Sequence, residues 1–295
     1  MGYRPCNLYI GHRFLCPKIP DDNYTLLLYN VGNMPKNTSF SKEGAYMTLH
    51  EFFQKHPKVA LAFSGGVDSA YLLYAALACG AQVRAYYVKS AFQPQFELDD
   101  AMRLAAELGA DMKVLDVDIL SIPQATANPA DRCYYCKNSI FKTIIEAATE
   151  DGFSVLMDGT NASDDAGDRP GMRALRELAV RSPLRECGIT KAEVRQLSKE
   201  AGLFTWNKPA YACLATRIPT GEEITREKLQ RTEQAEDYLF SVGFTDFRVR
   251  TLGSAARIQL PEHQLPLLLN KRQELLEEFK KYYSAVLLDL EVRGE

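Results

Sequence analysis

The stretch KVALAFSGGVDSAYLLYAALACG, residues 58–80, joins an apolar run of strand length to an apolar run of helix length through the hexad SGGVDS. That junction constrains the chain more than any other feature. A glycine-rich turn feeding a helix N-terminus presents backbone N–H groups and the positive end of the helix dipole to an anion. Gly65 and Gly66 permit close backbone approach, and Ser64 and Ser69 offer hydroxyl donors to phosphate oxygens. The lysine of a P-loop is absent, and Asp68 stands where a polyphosphate would be repelled. A Mg²⁺ ion held by Asp68 and bridging to the phosphates removes the conflict. The competing reading is a plain βα turn that uses glycine for geometry and serine for capping.

From Met47 onward, strand-like runs at 58–63, 82–88, 112–117, 154–157 and 179–184 alternate with helical stretches around 68–79, 97–108, 136–149 and 172–178. Such alternation predicts a parallel sheet with helices on both faces. Residues 190–202 read as a further helix, with Thr190 as N-cap, Glu193 at the capping-box position and Gly202 at the end. Residues 203–221 hold two prolines, the only tryptophan and no helical period. A helix at 225–242, a hairpin within 246–260, helical spacing to about 279 and a strand at 284–290 then predict a small α+β unit. The expected division is an extension at 1–46, a nucleotide-binding domain at 47–205 and a C-terminal domain at 206–295. The first segment carries Cys6 and Cys16 without a clear period. It is an accessory segment or lies upstream of a true start at Met47, and the second reading is preferred.

Composition narrows the function. The chain of 295 residues is 46% hydrophobic and 25% charged, as a soluble globular protein is, and a cytoplasmic location is expected. A net charge of −3 gives no broad basic footprint for a large nucleic-acid interface. No apolar stretch reaches the ~18 residues of a membrane span. Seven cysteines without a secretory signal argue against a disulfide framework. Cys79 reads as packing and Cys187 as a bystander. Cys133 and Cys136 form C-x-x-C at a helix start, where Arg132, Lys137 and the dipole favour thiolates. With Cys213, in KPAYACLATRIPTG, they can bind three irons of a [4Fe–4S] cluster and leave the fourth open. A zinc knuckle short of one ligand, or three unrelated thiols, are the alternatives.

The hexad in its strand–helix setting resembles the pyrophosphate loop of the N-type ATP pyrophosphatases. MDGTNASDD at 157–165 and SPLRECGITKAEVRQLSKEAGL at 182–203 resemble two further segments of that superfamily. The resemblance implies that ATP is cleaved to AMP and pyrophosphate, activating a carboxylate or carbonyl oxygen as an adenylate. From Met47 to the end the chain resembles the LarE family of ATP-dependent sulfur transferases. This rests on SGGVDS, DRCYYCK at 131–137, GTNASDDAGDRPG at 159–171, KPAYACLATRIPTG at 208–221 and FRVRTLGSAARIQL at 247–260.

That resemblance implies a parallel sheet of the adenine nucleotide alpha-hydrolase-like (PP-loop) type with a smaller C-terminal α+β domain. It implies a reaction that adenylates a pyridinium mononucleotide carboxylate and makes it a thiocarboxylate, for the nickel-pincer nucleotide cofactor. Ser64, Gly65, Gly66 and Ser69 would hold the ATP pyrophosphate, and Asp68 the Mg²⁺. Cys133, Cys136 and Cys213 would hold a [4Fe–4S] cluster, or Cys213 would surrender its own sulfur. Arg217, Arg248 and Arg250 are assigned to the mononucleotide phosphate, the R-x-R pair sharing one strand face. Asp164, Asp165 and Asp168 rank lower, as acidic candidates. Where the family tends to place a glutamate, this chain has Gln259. A homo-oligomer and contacts with other nickel-pincer biosynthesis proteins are expected, without membrane or nucleic-acid partners. The alternatives are a tRNA thiolase of the same superfamily and a non-catalytic nucleotide-binding protein.

Overall fold

The computed structural model describes residues 47–164 and 170–291; the extension expected at 1–46 and the acids Asp165 and Asp168 lie outside the described residues. Helix α1 (Leu49–Lys55) opens on a capping box, with Thr48 and Glu51 satisfying each other's backbone N–H groups. It drives Phe52 and Phe53 into the core. Strands β1 (Lys58–Ala62), β2 (Gln82–Lys89), β3 (Asp111–Asp116) and β4 (Leu156–Met157) form one parallel sheet in the order β3-β2-β1-β4.

Side-chain alternation along β1 divides the core between the two faces of this sheet. Val59 and Leu61 join a cluster under α2 (Val67–Ala78), which is buried over most of its surface, and α6 (Lys191–Glu200). Ala60 joins the opposite cluster, where α4 (Arg132–Glu150) and α5 (Pro170–Glu177) contribute Phe141, Ile144 and Leu175. Each large side chain buried here is worth about 1.5–3 kcal/mol, so the sheet is fixed from both sides. Helix α3 (Gln95–Glu107) lies beyond β2 and closes the first face with Ala101 and Leu104.

The strand expected at 179–184 does not form. This segment meets the sheet only as a bridge between Met157 and Arg181. Ala179 turns with a φ of 53°, the Ser182 N–H is taken by Glu186 at 2.9 Å, and Pro183 starts a helical turn, Pro183–Glu186. Proline at the first position of a turn is pre-set for helix, and here it pulls an apolar run off the sheet.

The C-terminal domain has its own sheet. Strands β5 (Arg248–Leu252) and β6 (Ala255–Gln259) form an antiparallel hairpin, and β7 (Val286–Leu288) pairs parallel to β6. Helices α8 (Leu265–Asn270) and α9 (Arg272–Phe279) make the crossover. Helix α7 (Arg226–Ser241) covers the hairpin, burying Leu239 against Phe247, Val249 and Ile258. Among the described residues, no helix is long and apolar enough to cross a membrane.

One backbone crossing fixes where the two loops of the large sheet meet. A Cβ added at Gly159, after β4, would lie 2.8 Å from the Ser69 backbone nitrogen and 3.1 Å from its Cα. Neither backbone atom can yield as a flexible side chain would. Gly159→Ala is expected to cost about 1–3 kcal/mol by forced displacement, read as a lower urea midpoint with an unchanged slope.

Candidate active site

The hexad lies at the C-terminal end of β1 and opens α2. Gly65 takes a φ of +70°, and a Cβ there would meet Ala101 of α3 at 3.1 Å, so glycine is required on both counts. The Ser64 backbone N–H donates to Ser69 Oγ at 3.3 Å, and the two hydroxyls lie 3.1 Å apart. Ser69 Oγ donates to the Gly66 carbonyl at 3.2 Å. Gly66 is the N-cap of α2 and makes no side-chain cap, so the first N–H groups of the helix have no capping side chain.

Asp68 faces the loop after β4. Asn161 Nδ2 donates to Asp68 Oδ1 at 3.1 Å, and the Lys191 ammonium, from the first turn of α6, ion-pairs with Oδ2. Asp158 holds that loop, accepting from Thr160 Oγ1 at 2.6 Å and Ser182 Oγ at 2.7 Å. Asp164 caps the same loop by accepting from the Asn161 N–H at 2.8 Å. Among the described residues no three His, Cys, Asp or Glu side chains converge as ligands of one ion. Mg²⁺ commonly takes only one or two carboxylates and completes its shell with phosphates and water. Asp68 beside an anion cradle fits that mode of binding.

Ser64, Asp68, Ser69, Asp158, Thr160 and Asp164 line one cavity of about 680 Å³, together with Cys133, Lys137, Tyr211 and Cys213. Cys133 and Cys213 come from segments 80 residues apart, and a buried polar staple brings those segments together. Arg132 donates to Asn128 Oδ1 and to the Ala215 carbonyl at 3.1 Å; Asn128 Nδ2 donates to the Pro219 carbonyl at 2.7 Å. The Leu214 N–H reaches the Phe92 carbonyl at 2.9 Å. Cys136, 8% exposed, packs just behind with Phe92, Leu214 and Ala215.

Burial pushes the Cys136 thiol up to about 12, with Cys213 adding to the rise. Burial also raises Cys213, against the opposing pull of Arg132, while Cys133 adds to the rise. Cys136 and Cys213 share one packed cluster, and Cys133 and Cys213 line one cavity. In a [4Fe–4S] cluster each iron takes its own thiolate, so the ligands are spread rather than gathered at one point, and this donor set fits such a group.

The three arginines assigned to a phosphate do not line this cavity, and each donates hydrogen bonds to other groups of the protein. Arg217 has no exposed side-chain surface; its Nε and Nη2 donate to Glu236 at 2.8 and 3.0 Å and its Nη1 to the Ala212 carbonyl at 2.8 Å. Arg248, 7% exposed, donates to the carbonyls of Phe247 and Ala210. Arg250 is half-buried, with Nη1 on the Thr216 carbonyl at 3.1 Å and Nε on Gln259 Oε1 at 3.3 Å. An R-x-R spacing gives the face of a strand but not whether that face is covered.

Lys191, Asn161 and Tyr87 were not singled out from sequence, and Lys137 only as a cation beside the C-x-x-C thiols. The Lys137 stem passes beside Gly171, and its ammonium has no partner among the described residues. Tyr87 lines the cavity, and its buried hydroxyl has no hydrogen-bond partner among the described residues. Lys191 and Asn161 lay inside quoted motifs; only the fold shows that both reach Asp68.

A serine–glycine–aspartate loop at the C-terminal end of a central parallel strand, feeding a helix N-terminus, defines a PP-loop nucleotide-binding α/β protein. Residues 58–132 match the family described as queuosine biosynthesis protein QueC. The chain is 39% identical over 255 residues to an uncharacterized protein of Synechocystis sp., covering 84% of this chain and 94% of that one. It is 37% identical over 210 residues to the pyridinium-3,5-bisthiocarboxylic acid mononucleotide synthase of Lactiplantibacillus plantarum, covering 70% and 76%. A tRNA-specific 2-thiouridylase of Thermotoga petrophila is 27% identical over 198 residues, covering 51% and 54%. The chain belongs to the LarE family of ATP-dependent PP-loop sulfurtransferases.

The burial pattern predicts an order of thiol modification. Iodoacetamide should label exposed Cys133 first and buried Cys136 last, with a lag of roughly tenfold or more in rate read by peptide mass mapping.

Proposed function

We propose that this enzyme uses ATP to adenylate a carboxylate of a pyridinium mononucleotide and replaces the activated oxygen with sulfur. The product would be the bisthiocarboxylic acid mononucleotide named for the Lactiplantibacillus relative. The observation that carries the reading is that residues of the anion cradle and two of the cysteines line one cavity. A carboxylate oxygen attacks the α-phosphorus, the bond to the β-phosphate oxygen breaks, and pyrophosphate leaves. A sulfur nucleophile then attacks the acyl carbon, and AMP departs with the original carboxylate oxygen. Two carboxylates per substrate require two such rounds.

The roles follow from placement. The N–H groups opening α2, with Ser64, Gly65, Gly66 and Ser69, hold the pyrophosphate. Asp68 takes Mg²⁺, and Lys191 stays close enough to share its charge with the departing phosphates. Lys137 and Tyr87 supply a cation and a hydroxyl donor to an anionic substrate. Arg250 keeps the assignment to the mononucleotide phosphate, while Arg217 and Arg248 support the wall. Cys133, Cys136 and Cys213 would hold the [4Fe–4S] cluster, which would supply an open iron able to carry hydrosulfide. In the second form of the reading, Cys213 gives up its own sulfur.

The proposed domain division is 47–205 for adenylation and 206–295 for sulfur transfer and substrate. We place the enzyme in nickel-pincer nucleotide biosynthesis, in the cytoplasm, as a homo-oligomer in contact with other proteins of that route. A tRNA thiolase is the second reading, favoured by the likeness to the Thermotoga 2-thiouridylase; the net charge of −3 counts against it.

Asp68→Asn should slow pyrophosphate release from ATP, Mg²⁺ and the mononucleotide by about a hundredfold or more. An unchanged rate would remove Asp68 from the mechanism. Anaerobic reconstitution with iron and sulfide should give about four irons per chain and a brown protein, both lost in Cys133→Ala. A colourless protein that loses the mass of H₂S at Cys213 after one turnover would establish the sacrificial form instead.

A further inference from the structure

A second cavity of about 390 Å³ lies beside the first, between the start of α3, the 208–211 segment, the end of α7 and the turn into β5. Its walls are aromatic. Phe96 meets Tyr211 at 4.8 Å between ring centroids and Phe240 at 5.1 Å, and Phe240 meets Phe247 at 4.6 Å. Phe240 keeps 39% of its surface exposed although it packs against two aromatic rings.

The rim is acidic, with Asp100, Asp237 and Asp246. Lys208 is engaged by Asp100 at 2.7 Å and by Glu97 at 3.3 Å, and Arg248 donates to backbone carbonyls. Asp237 has no hydrogen bond or ion pair among the described residues. Burial, then the like charges of Glu233 and Glu236, push its carboxyl up to about 6, and Lys89 opposes them only in part. Both cations of the lining, Lys208 and Arg248, are thus engaged by other groups of the protein, and Asp237 has no cation of its own.

We propose that this side pocket is a second ligand site, separate from the nucleotide cleft, for a small organic cation: an ammonium group on an aromatic or aliphatic body. Ring faces attract both the body and the positive charge, and the attraction grows as water is excluded. Asp237 supplies the complementary charge at the mouth. The inference stands whether or not the sulfur chemistry proposed above is right.

The test is calorimetric titration of the full-length protein with benzyltrimethylammonium, whose charge does not titrate, against phenylacetate, which carries the opposite sign on the same ring. At about pH 7.5 the ammonium should bind roughly tenfold tighter or better. Lowering the pH to about 5 protonates Asp237 and should weaken the ammonium severalfold, because the carboxylate's attraction exists above its pKa and is lost below it. Asp237→Asn and Phe240→Ala should each loosen binding about fivefold, and Asp237→Asn, at an exposed position, should leave Tm unchanged. Saturating ATP with Mg²⁺ should leave the affinity within about twofold. Equal binding of the two probes, no loss in either variant, or displacement by ATP would each overturn the proposal.

Discussion

Glu236 is the buried charge on which the sulfur side of the cavity depends. Its carboxylate is 1% exposed, and both oxygens are in use. Oε1 accepts from Arg217 Nε and from the Val249 N–H, each at 2.8 Å; Oε2 accepts from Arg217 Nη2 at 3.0 Å and from the Tyr211 hydroxyl. Removing two charges from water is unfavourable unless the pair is bidentate and every remaining lone pair is filled. Here that condition is met, and meeting it ties four elements together. Arg217 reaches on to the Ala212 carbonyl, so the backbone next to Cys213 is held by a residue of α7. Tyr211 lies between two guanidiniums, 4.5 Å from Arg217 and 5.1 Å from Arg248. Burial and Glu236 raise its hydroxyl pKa, so it stays a donor. The C-terminal domain thus acts on the cavity largely by fixing the loop that presents the cysteine.

This arrangement explains what was legible in the sequence. The βα alternation and the hexad are local: strand, turn and helix are encoded within about twenty residues, and the parallel sheet follows from repetition. The run at 179–184 has the same apolar composition as the true strands. It fails because Pro183 and the Ser182–Glu186 contact compete for the backbone, a contest that hydrophobic pattern does not register. Arg217, Arg248 and Arg250 carry the right chemistry for phosphate. Nothing local says that Glu236, 19 residues from Arg217, consumes one of them. Long-range pairing is the part a single sequence hides. Asn161 and Lys191 show the same limit in reverse, since they lie 93 and 123 residues from the aspartate they contact.

The staple between Asn128, Arg132 and the 215–219 carbonyls belongs to the same class of hidden interaction. Asn128 is 1% exposed with a φ of 55°, a strained turn that asparagine tolerates because its side chain bonds the neighbouring backbone. Without it the C-x-x-C helix and the Cys213 loop would keep the apolar packing of Cys136 with Leu214 and Ala215 but lose these polar ties. Apolar contacts set proximity but not orientation, whereas carbonyl acceptors fix both. The cysteines can therefore keep a defined relation to one another while one is exposed and another is packed away.

The missing P-loop lysine acquires a physical reason in this setting. A lysine within the loop would fix its charge near the terminal phosphates, where a γ-phosphoryl group is transferred. In the proposed chemistry the bond that breaks lies at the α-phosphorus, and negative charge accumulates on the whole pyrophosphate as it leaves. Lys191 enters from another helix and rests against Asp68, with about a third of its side chain exposed. An ammonium held by one carboxylate at the edge of a cavity can redistribute between that carboxylate and an arriving anion at little cost, since both partners lie within a few ångströms. In the proposed reading Asp68 would be available to Mg²⁺ once the ammonium had turned toward phosphate. A loop that exchanges its own lysine for an aspartate and a lysine from a neighbouring helix is suited to holding a leaving group rather than a transferred one.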